Sequence, residues 1–433
     1  MASFAGRLNY GIDDKYLFTF TGRYDGSSKL AVGNEWAFFP SAAFAWKASD
    51  ELFLQDVDWL SNLKVRLSYG ESGNDNVLSP YQSFAFLNGS DYVFGSDHLN
   101  GVQVAGLANQ ELSWERSKEY NLGFNLAVFQ DRVRLGLEVY NKKTVDAILG
   151  RTLSSITGYE TAIGNYGSVR NKGVEITLNT TNIRTEDFKW TTSLNYARNK
   201  NEILELQGDL DEIPYGNHGV RKIGAPVDAI YSYEFDGIWQ MDEAAEAHTY
   251  GAFPGQWKYV DQNNDGVLNQ DDNVVLGSIS PDWIGGMTNT FAYKNIDFTV
   301  QMHARFGTYG HSEFYNNFAP WQNDGAKFNK VNLDYWTPNN QGAANPAAHY
   351  ASTGNDYYVD VDFVKISNIG LGYSFNQDAL DKLKMSSLRL TLDLQNPFTF
   401  TDYAGPDPET ALGNTYNAGY MMKTVLLGLK LSY

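Results

Sequence analysis

The sequence predicts an all-β fold, a transmembrane antiparallel β-barrel with long extracellular loops, and three observations carry the prediction. Apolar and polar residues alternate over segments of about nine to eleven residues, the length of a tilted strand crossing a bilayer. Tight turns and very long connections succeed one another along the chain. The final residues form a strand whose apolar face ends on an aromatic ring.

The alternation is clearest in the segment 388–395, where Leu388, Leu390, Leu392 and Leu394 share one face and Arg389, Thr391, Asp393 and Gln395 the other. Successive side chains of a strand point to opposite sides, so one face is pure leucine. Likewise Val133, Leu135, Leu137 and Val139 oppose Arg132, Arg134, Gly136 and Glu138. Leu63, Val65 and Leu67 oppose Lys64, Arg66 and Ser68. Leu122, Phe124, Leu126 and Val128 oppose Asn121, Gly123 and Asn125, and Val174, Ile176 and Leu178 oppose Glu175, Thr177 and Asn179. Roughly thirteen segments meet this criterion.

A soluble sandwich or propeller also alternates. The connections separate the two readings. Gln130-Asp131 is a tight turn between 116–129 and 132–148, whereas the spans 70–115 and 202–280 are long. Short turns at one end and long loops at the other are the outer-membrane asymmetry. Tyr16, Phe18 and Phe20, with Trp36, Phe38 and Phe39, stand near strand ends, where amphipathic rings form interfacial girdles.

In the last strand Val425, Leu427, Leu429, Leu431 and Tyr433 face away from Thr424, Gly428, Lys430 and Ser432. This ending resembles the signal by which outer-membrane barrels are recognised for assembly. An odd, incomplete set of strands leaves unpaired edges that lipid does not tolerate, so N-terminal strands are expected to be missing. The expected location is the Gram-negative cell outer membrane, with outer-membrane lipid around the strands.

Composition agrees. The chain has 433 residues, with 28 Tyr, 25 Phe, 10 Trp and 40 Gly, and shows no linker that would divide it, so residues 1–433 read as one architecture. No apolar run is long enough for a helical span. The net charge of −18 argues against nucleic acid as a partner. Cysteine is absent, which removes disulfides and thiolate chemistry. Met1-Ala2-Ser3-Phe4 leads directly into Gly6-Arg7-Leu8-Asn9-Tyr10 without a signal peptide, so an exported protein starting this way is expected to be a fragment.

The most specific chemical motif runs from Asp261 to Asp272. Asp261, Asn263 and Asp265 supply oxygens at positions one, three and five, Gly266 the sharp turn, Val267 a backbone carbonyl, and Asn269 and Asp272 the later positions of a calcium loop. Asp272 stands where helix-flanked hands carry Glu, and its shorter reach leaves Mg²⁺ as the alternative to Ca²⁺. The competing reading is an ordinary Asx-rich turn. The role expected of the ion is structural.

Trp321, Tyr335 and Trp336, set among Asn, Gln and Asp, are candidates for substrate contact, against the alternative that they pack a loop core. His98, His218, His303, His311 and His349 lack zinc spacing. Gly285-Gly286 precedes a strand rather than a helix and so cradles no phosphate. Asn88-Gly89-Ser90 reads as a loop turn. No pair of carboxylates stands out as a glycosidase dyad, and no enzymatic activity is expected.

Several stretches, in order and spacing, resemble the SusC/RagA family of TonB-dependent outer-membrane transporters. They are Gly6-Arg7-Leu8-Asn9-Tyr10 with Asp14-Lys15-Tyr16-Leu17, then Arg23-Tyr24-Asp25-Gly26-Ser27-Ser28-Lys29. Phe39-Pro40-Ser41 with Ala45-Trp46, Asn171-Lys172-Gly173-Val174-Glu175 and the segment 261–272 follow. The resemblance covers nearly the whole chain, as the C-terminal portion of the family's barrel. It implies a barrel of about 22 strands closed by an N-terminal plug, a SusD-like surface lipoprotein as lid, and energy from the TonB-ExbB-ExbD complex. The plug, the TonB-contacting segment and the early strands are not in residues 1–433, so another chain or segment is expected to supply them. The function implied is active import of oligosaccharides or peptides. The alternatives are a ferric-siderophore or vitamin receptor of the same kind, or a soluble calcium-binding surface adhesin.

Overall fold

The computed structural model describes residues 1–104, 106–159, 161–208, 210–215, 219–312, 314, 318–319, 332–348, 358–403, 405–410 and 421–433. Its main feature is a thirteen-stranded sheet whose strands lie side by side in chain order. Its first strands are β1 (Ala2–Ile12), β2 (Tyr16–Gly26), β3 (Trp36–Lys47) and β4 (Leu60–Asn74). A separate hairpin, β5 (Leu87–Phe94) and β6 (Asp97–Val104), precedes β7 (Glu115–Val128), β8 (Val133–Thr152), β9 (Thr161–Arg184) and β10 (Phe188–Glu205). The connection after β10 holds β11 (Glu212–Tyr215), β12 (Gly219–Lys222), β13 (Ala229–Tyr233), β14 (Phe235–Ile238), β15 (Trp257–Tyr259) and β16 (Asn273–Ser278). The wide sheet resumes with β17 (Trp283–Tyr293) and β18 (Ile296–Phe306); β19 (Tyr309–His311) and β20 (Tyr358–Asp360) form a small ribbon. It closes with β21 (Phe363–Ser374), β22 (Ser387–Phe400) and β23 (Thr424–Ser432). The expected number of alternating segments and the number of strands in this sheet agree.

Alternate connections differ in length. One end carries 13–15, 48–59, 129–132, 185–187, 294–295 and 375–386; the other carries 27–35, 75–114, 153–160, 206–282, 307–362 and 401–423. At the tight turn Phe129, Gln130 and Asp131 all adopt the left-handed conformation, with φ of 54, 58 and 64°. Consecutive left-handed positions of this kind match the twist of the flanking strands. The described helices are short, Ala244–Thr249 and Gln377–Leu383, and none is long and apolar enough to cross a membrane.

The chain forms two compact units. In the first, cross-strand pairing lines up Tyr10, Phe18, Phe44, Leu67, Leu122 and Val139 in one row over six strands. Most of these large apolar side chains are exposed. The opposite face is polar: Arg66 reaches across Gly123 to Glu138, Nη2 lying 2.6 Å from Oε1. Phe39 departs from its expected place in an aromatic girdle. It is buried against Trp114, Leu30, Leu78 and Leu112, because its parity in β3 turns it to the face that the long connections cover. Trp36 instead stacks on Tyr24, centroids 5.0 Å apart, on the exposed side. Asn88-Gly89-Ser90 is strand rather than turn, inside β5.

In the second unit the register aligns Trp190, Phe291, Phe298, Leu371, Leu392 and Leu427 across six strands. The neighbouring row holds Phe188, Tyr293, Ile296, Tyr373, Leu390 and Leu429. Leu427 is 84% exposed although every other residue of its row is apolar. On the reverse face Arg389 pairs with Asp297. A sheet that exposes aliphatic rows and keeps its ion pairs on the other side has lipid, not water, as the natural solvent of the first face. Gly285 and Gly286 lie within β17.

Candidate functional site

The long connection after β10 packs with residues 335–347 of the connection after β18 to make one small fold. β13 pairs with β16, and β14 with β15. Ile238, Trp257, Trp336, Ala343 and Ala347 form its apolar centre. Gly255 belongs there because of both space and conformation: its φ is +90°, and a Cβ would lie 2.6 Å from the Trp336 ring. Trp336 Nε1 donates to Gln240 Oε1 at 3.0 Å, and Lys258 Nζ lies 4.5 Å from the Trp239 ring centroid while bonded to Glu243 at 2.9 Å.

The segment Asp261–Asp272 hangs from this core. Asn264 and Gly266 have φ of 57 and 80°, and the chain coils so that its oxygens gather up its own backbone amides. Gly266 N donates to Asp261 Oδ2 at 2.8 Å, Asp265 N to Asn263 Oδ1 at 2.8 Å, and Val267 N to Asp265 Oδ1 at 2.8 Å. Tyr250 OH donates to Asp261 Oδ2 at 3.2 Å. Burial pushes the Asp261 carboxyl up, but the Gly266 amide, the Tyr250 hydroxyl and neighbouring amides outweigh it and hold the group below its usual range. Asp272 is completely buried, and its two oxygens accept from Gln262 N at 3.0 Å and Asn269 N at 2.8 Å.

Asp261, Asn263, Asp265, Asn269 and Asp272 thus sit on one coiled loop together with the Val267 carbonyl, a donor set of hard oxygens suited to Ca²⁺ or Mg²⁺. Among the described residues no three His, Cys, Asp or Glu side chains converge closely enough to hold a metal by themselves. Any fit therefore leans on the amide and carbonyl oxygens as well as the carboxylates.

The three aromatic candidates separate. Trp336 is 4% exposed and is a core side chain of the loop, not a ring offered to a ligand. Tyr335, its neighbour, is 39% exposed. Trp321, like His218 and His349, lies outside the described residues. His303 bonds to Glu409, Nε2 to Oε1 at 3.0 Å. That contact belongs to a group that sequence reasoning did not find: His303 and Arg305 of β18, Lys365 of β21, and Asp407 and Glu409 beyond β22. The one local signal was a lysine at the apolar start of a strand, Phe363-Val364-Lys365-Ile366.

Residues 2–396 match the family described as TonB dependent receptor-like, beta-barrel. The chain is 32% identical over its full length to TonB-dependent receptor P3 of Formosa agariphila, covering 45% of that protein. It is 30% identical, again over all of its length, to TonB-dependent receptor SusC of Bacteroides thetaiotaomicron, covering 44% of it. Among solved structures the RagAB peptide transporter superposes with a TM-score of 0.82 at 24% identity, over 100% of this chain and 47% of that one, a likeness of fold. The chain spans a little under half the length of these curated relatives. Its exposed aliphatic rows, its ion-paired reverse face and these matches agree: the chain belongs to the TonB-dependent receptor β-barrels of the outer membrane, of the SusC/RagA kind, and not to an enzyme family.

Proposed function

We propose that this chain is wall and mouth of an active importer: its strands line a path across the outer membrane, and the whole protein draws energy from TonB-ExbB-ExbD through a segment beyond residues 1–433. The observation that carries the reading is the two-faced sheet of the second unit, apolar from Trp190 to Leu427 on one side and ion-paired at Arg389 and Asp297 on the other. Such a wall suits lipid outside and water inside.

The solute class proposed is oligosaccharide or peptide. The resemblance to the SusC/RagA family suggests it, and the solved neighbour, alike in fold, is described as a peptide transporter. A SusD-like lipoprotein is the proposed lid, and a plug-bearing segment the proposed partner inside the barrel. Tyr335, exposed beside the loop core, and Trp321 are proposed contacts for the solute. The loop Asp261–Asp272 is proposed to take Ca²⁺, or Mg²⁺, which would fix the long connection where the lid docks. The motif spacing and the hard-oxygen donor set support this.

Affinity purification of the full-length protein from detergent-extracted outer membranes, with mass spectrometry of companions, tests the assembly. Recovery of a surface lipoprotein together with a band that shifts on heating supports it. A soluble, solitary protein defeats it.

A further inference from the structure

On the polar face of β18 and β21, His303 pairs with Lys365 and Arg305 with Phe363. The segment 405–410 lies over these four. Lys365 is completely buried, its Nζ 3.0 and 3.1 Å from the two Asp407 oxygens and in contact with Glu409 Oε2. Arg305 Nη2 donates to the Pro408 carbonyl at 2.6 Å, and Asp407 and Pro408 are themselves buried. Both cations sit over the Phe363 ring, at 5.0 and 5.5 Å from its centroid.

β22 ends at Phe400, opposite Val364. To bring Asp407 and Glu409 onto Lys365, the chain must therefore double back from the strand end and lie along the polar face. Thr401 Oγ1, bonded to the Asp362 carbonyl at 2.7 Å, and Tyr403 OH, 2.8 Å from Ser312 Oγ, fasten the bend. A buried ammonium is tolerated only with its partners in place, and losing one leaves an uncompensated charge. Docking of the segment is therefore close to all-or-none.

We propose that Lys365 is the positioning residue of an ion-held strap: it pins Asp407-Pro408-Glu409 across the polar face at the long-loop end, and a solute moving along that face passes only when the strap lifts. What passes beneath rests on the import reading; the clasp does not.

The chain has no cysteine, so Thr410→Cys in the full-length protein in detergent gives one reporter within it, read as maleimide labelling rate over the parent protein. Slow labelling is expected, about tenfold or more faster with Lys365→Met, and slow again with Lys365→Arg, which restores the charge. Heat-dependent gel migration shows which variants keep a folded barrel. A folded Lys365→Met that labels no faster overturns the proposal, as does Lys365→Arg labelling as fast as Lys365→Met. Where Lys365→Met does not fold, Glu409→Gln decides, and an unchanged rate overturns it. Labelling measures no uptake, so the clasp can stand while the import reading fails.

Discussion

The Arg389 guanidinium grips the Asp297 carboxylate across an intervening strand, Nη1 2.6 Å from one oxygen and Nη2 2.8 Å from the other. Gly372 of β21 lies beneath the bridge, and a Cβ there would stand 2.7 Å from Asp297 Oδ1 and 2.7 Å from Arg389 Cζ. Glycine lets the flexible ends of the two side chains pass close over its Cα, and any Cβ there would have to push them aside. The first unit repeats the device with Arg66 over Gly123, where a Cβ would meet Nη2 at 2.9 Å.

Gly372→Ala is therefore expected to push the two flexible ends apart and to cost the folded barrel about 0.5–1 kcal/mol, the worth of a partly exposed ion pair. Gly136→Ala, whose new methyl meets nothing nearer than 3.8 Å, serves as the control and is expected to be near neutral. The midpoint temperature of heat-dependent gel migration reads both. Equal midpoints would remove the steric role given to Gly372.

The two faces of β23 predict opposite tolerances. Leu427→Arg places a charge where lipid is expected and should cost about 2–4 kcal/mol near the bilayer midplane. Lys430→Gln, on the other face, should stay within about 0.5 kcal/mol. Folded yield in the outer-membrane fraction separates them. If Leu427→Arg assembles as well as the parent, the exposed leucines do not face lipid.

Strands were legible because alternation is local: each of the Leu388–Leu394 positions reports its face without knowledge of its neighbours. What happens across strands was not. Nothing in the spacing near Phe39 says that loops cover its face, nor does the shift between Gln301 and Met302 against β21 leave a mark in the sequence. The calcium-type loop was legible as a donor order because its ligands are consecutive. The Lys365 cluster was not, since its carboxylates come from a segment beyond the next strand. Trp336 could not be told from a ligand-stacking ring, because an aromatic among Asn and Gln suits either role until its burial is known.

The cation loop yields a direct titration. Calcium is expected to bind the full-length protein with a change in tryptophan emission, since Tyr250 touches Asp261 and stacks on Trp239 at 6.0 Å. Asp261→Asn and Asp265→Asn should remove the response, and Asp272→Glu, with its longer reach, should strengthen calcium over magnesium. Calorimetry showing no heat with either ion would leave the segment a self-bonded Asx turn.

Trp336 and Tyr335 make a paired test of packing against contact. Trp336→Ala empties the centre of the loop fold and is expected to cost about 3–5 kcal/mol locally, seen as faster proteolysis in the connections after β10 and after β18. Tyr335→Ala should leave proteolysis unchanged and weaken solute binding if the ring meets the solute. Faster cleavage in both variants would make Tyr335 structural as well.

The Glu243–Lys258 pair sets the pH window of the same fold. Glu243 is held below its ordinary value of 4.5, first by the Gln240 amide at 2.9 Å and then by Lys258. A depressed carboxyl contributes stability above its unfolded value and loses it as pH falls through the folded one. Lys258 is raised above 10.5, chiefly by its bond to Glu243, so its contribution is complete below that value and lost only as pH climbs through the raised one. The loop fold should therefore hold steady between about pH 5 and 10 and loosen in acid. Lys258 stands over Trp239, so the loosening should appear in tryptophan emission. Glu243→Gln keeps the shape but cannot titrate, and should remove the Glu243 part of the acid transition. An acid transition identical in Glu243→Gln and parent would assign it elsewhere, with Asp261, also held below its usual range, the next carboxylate to test.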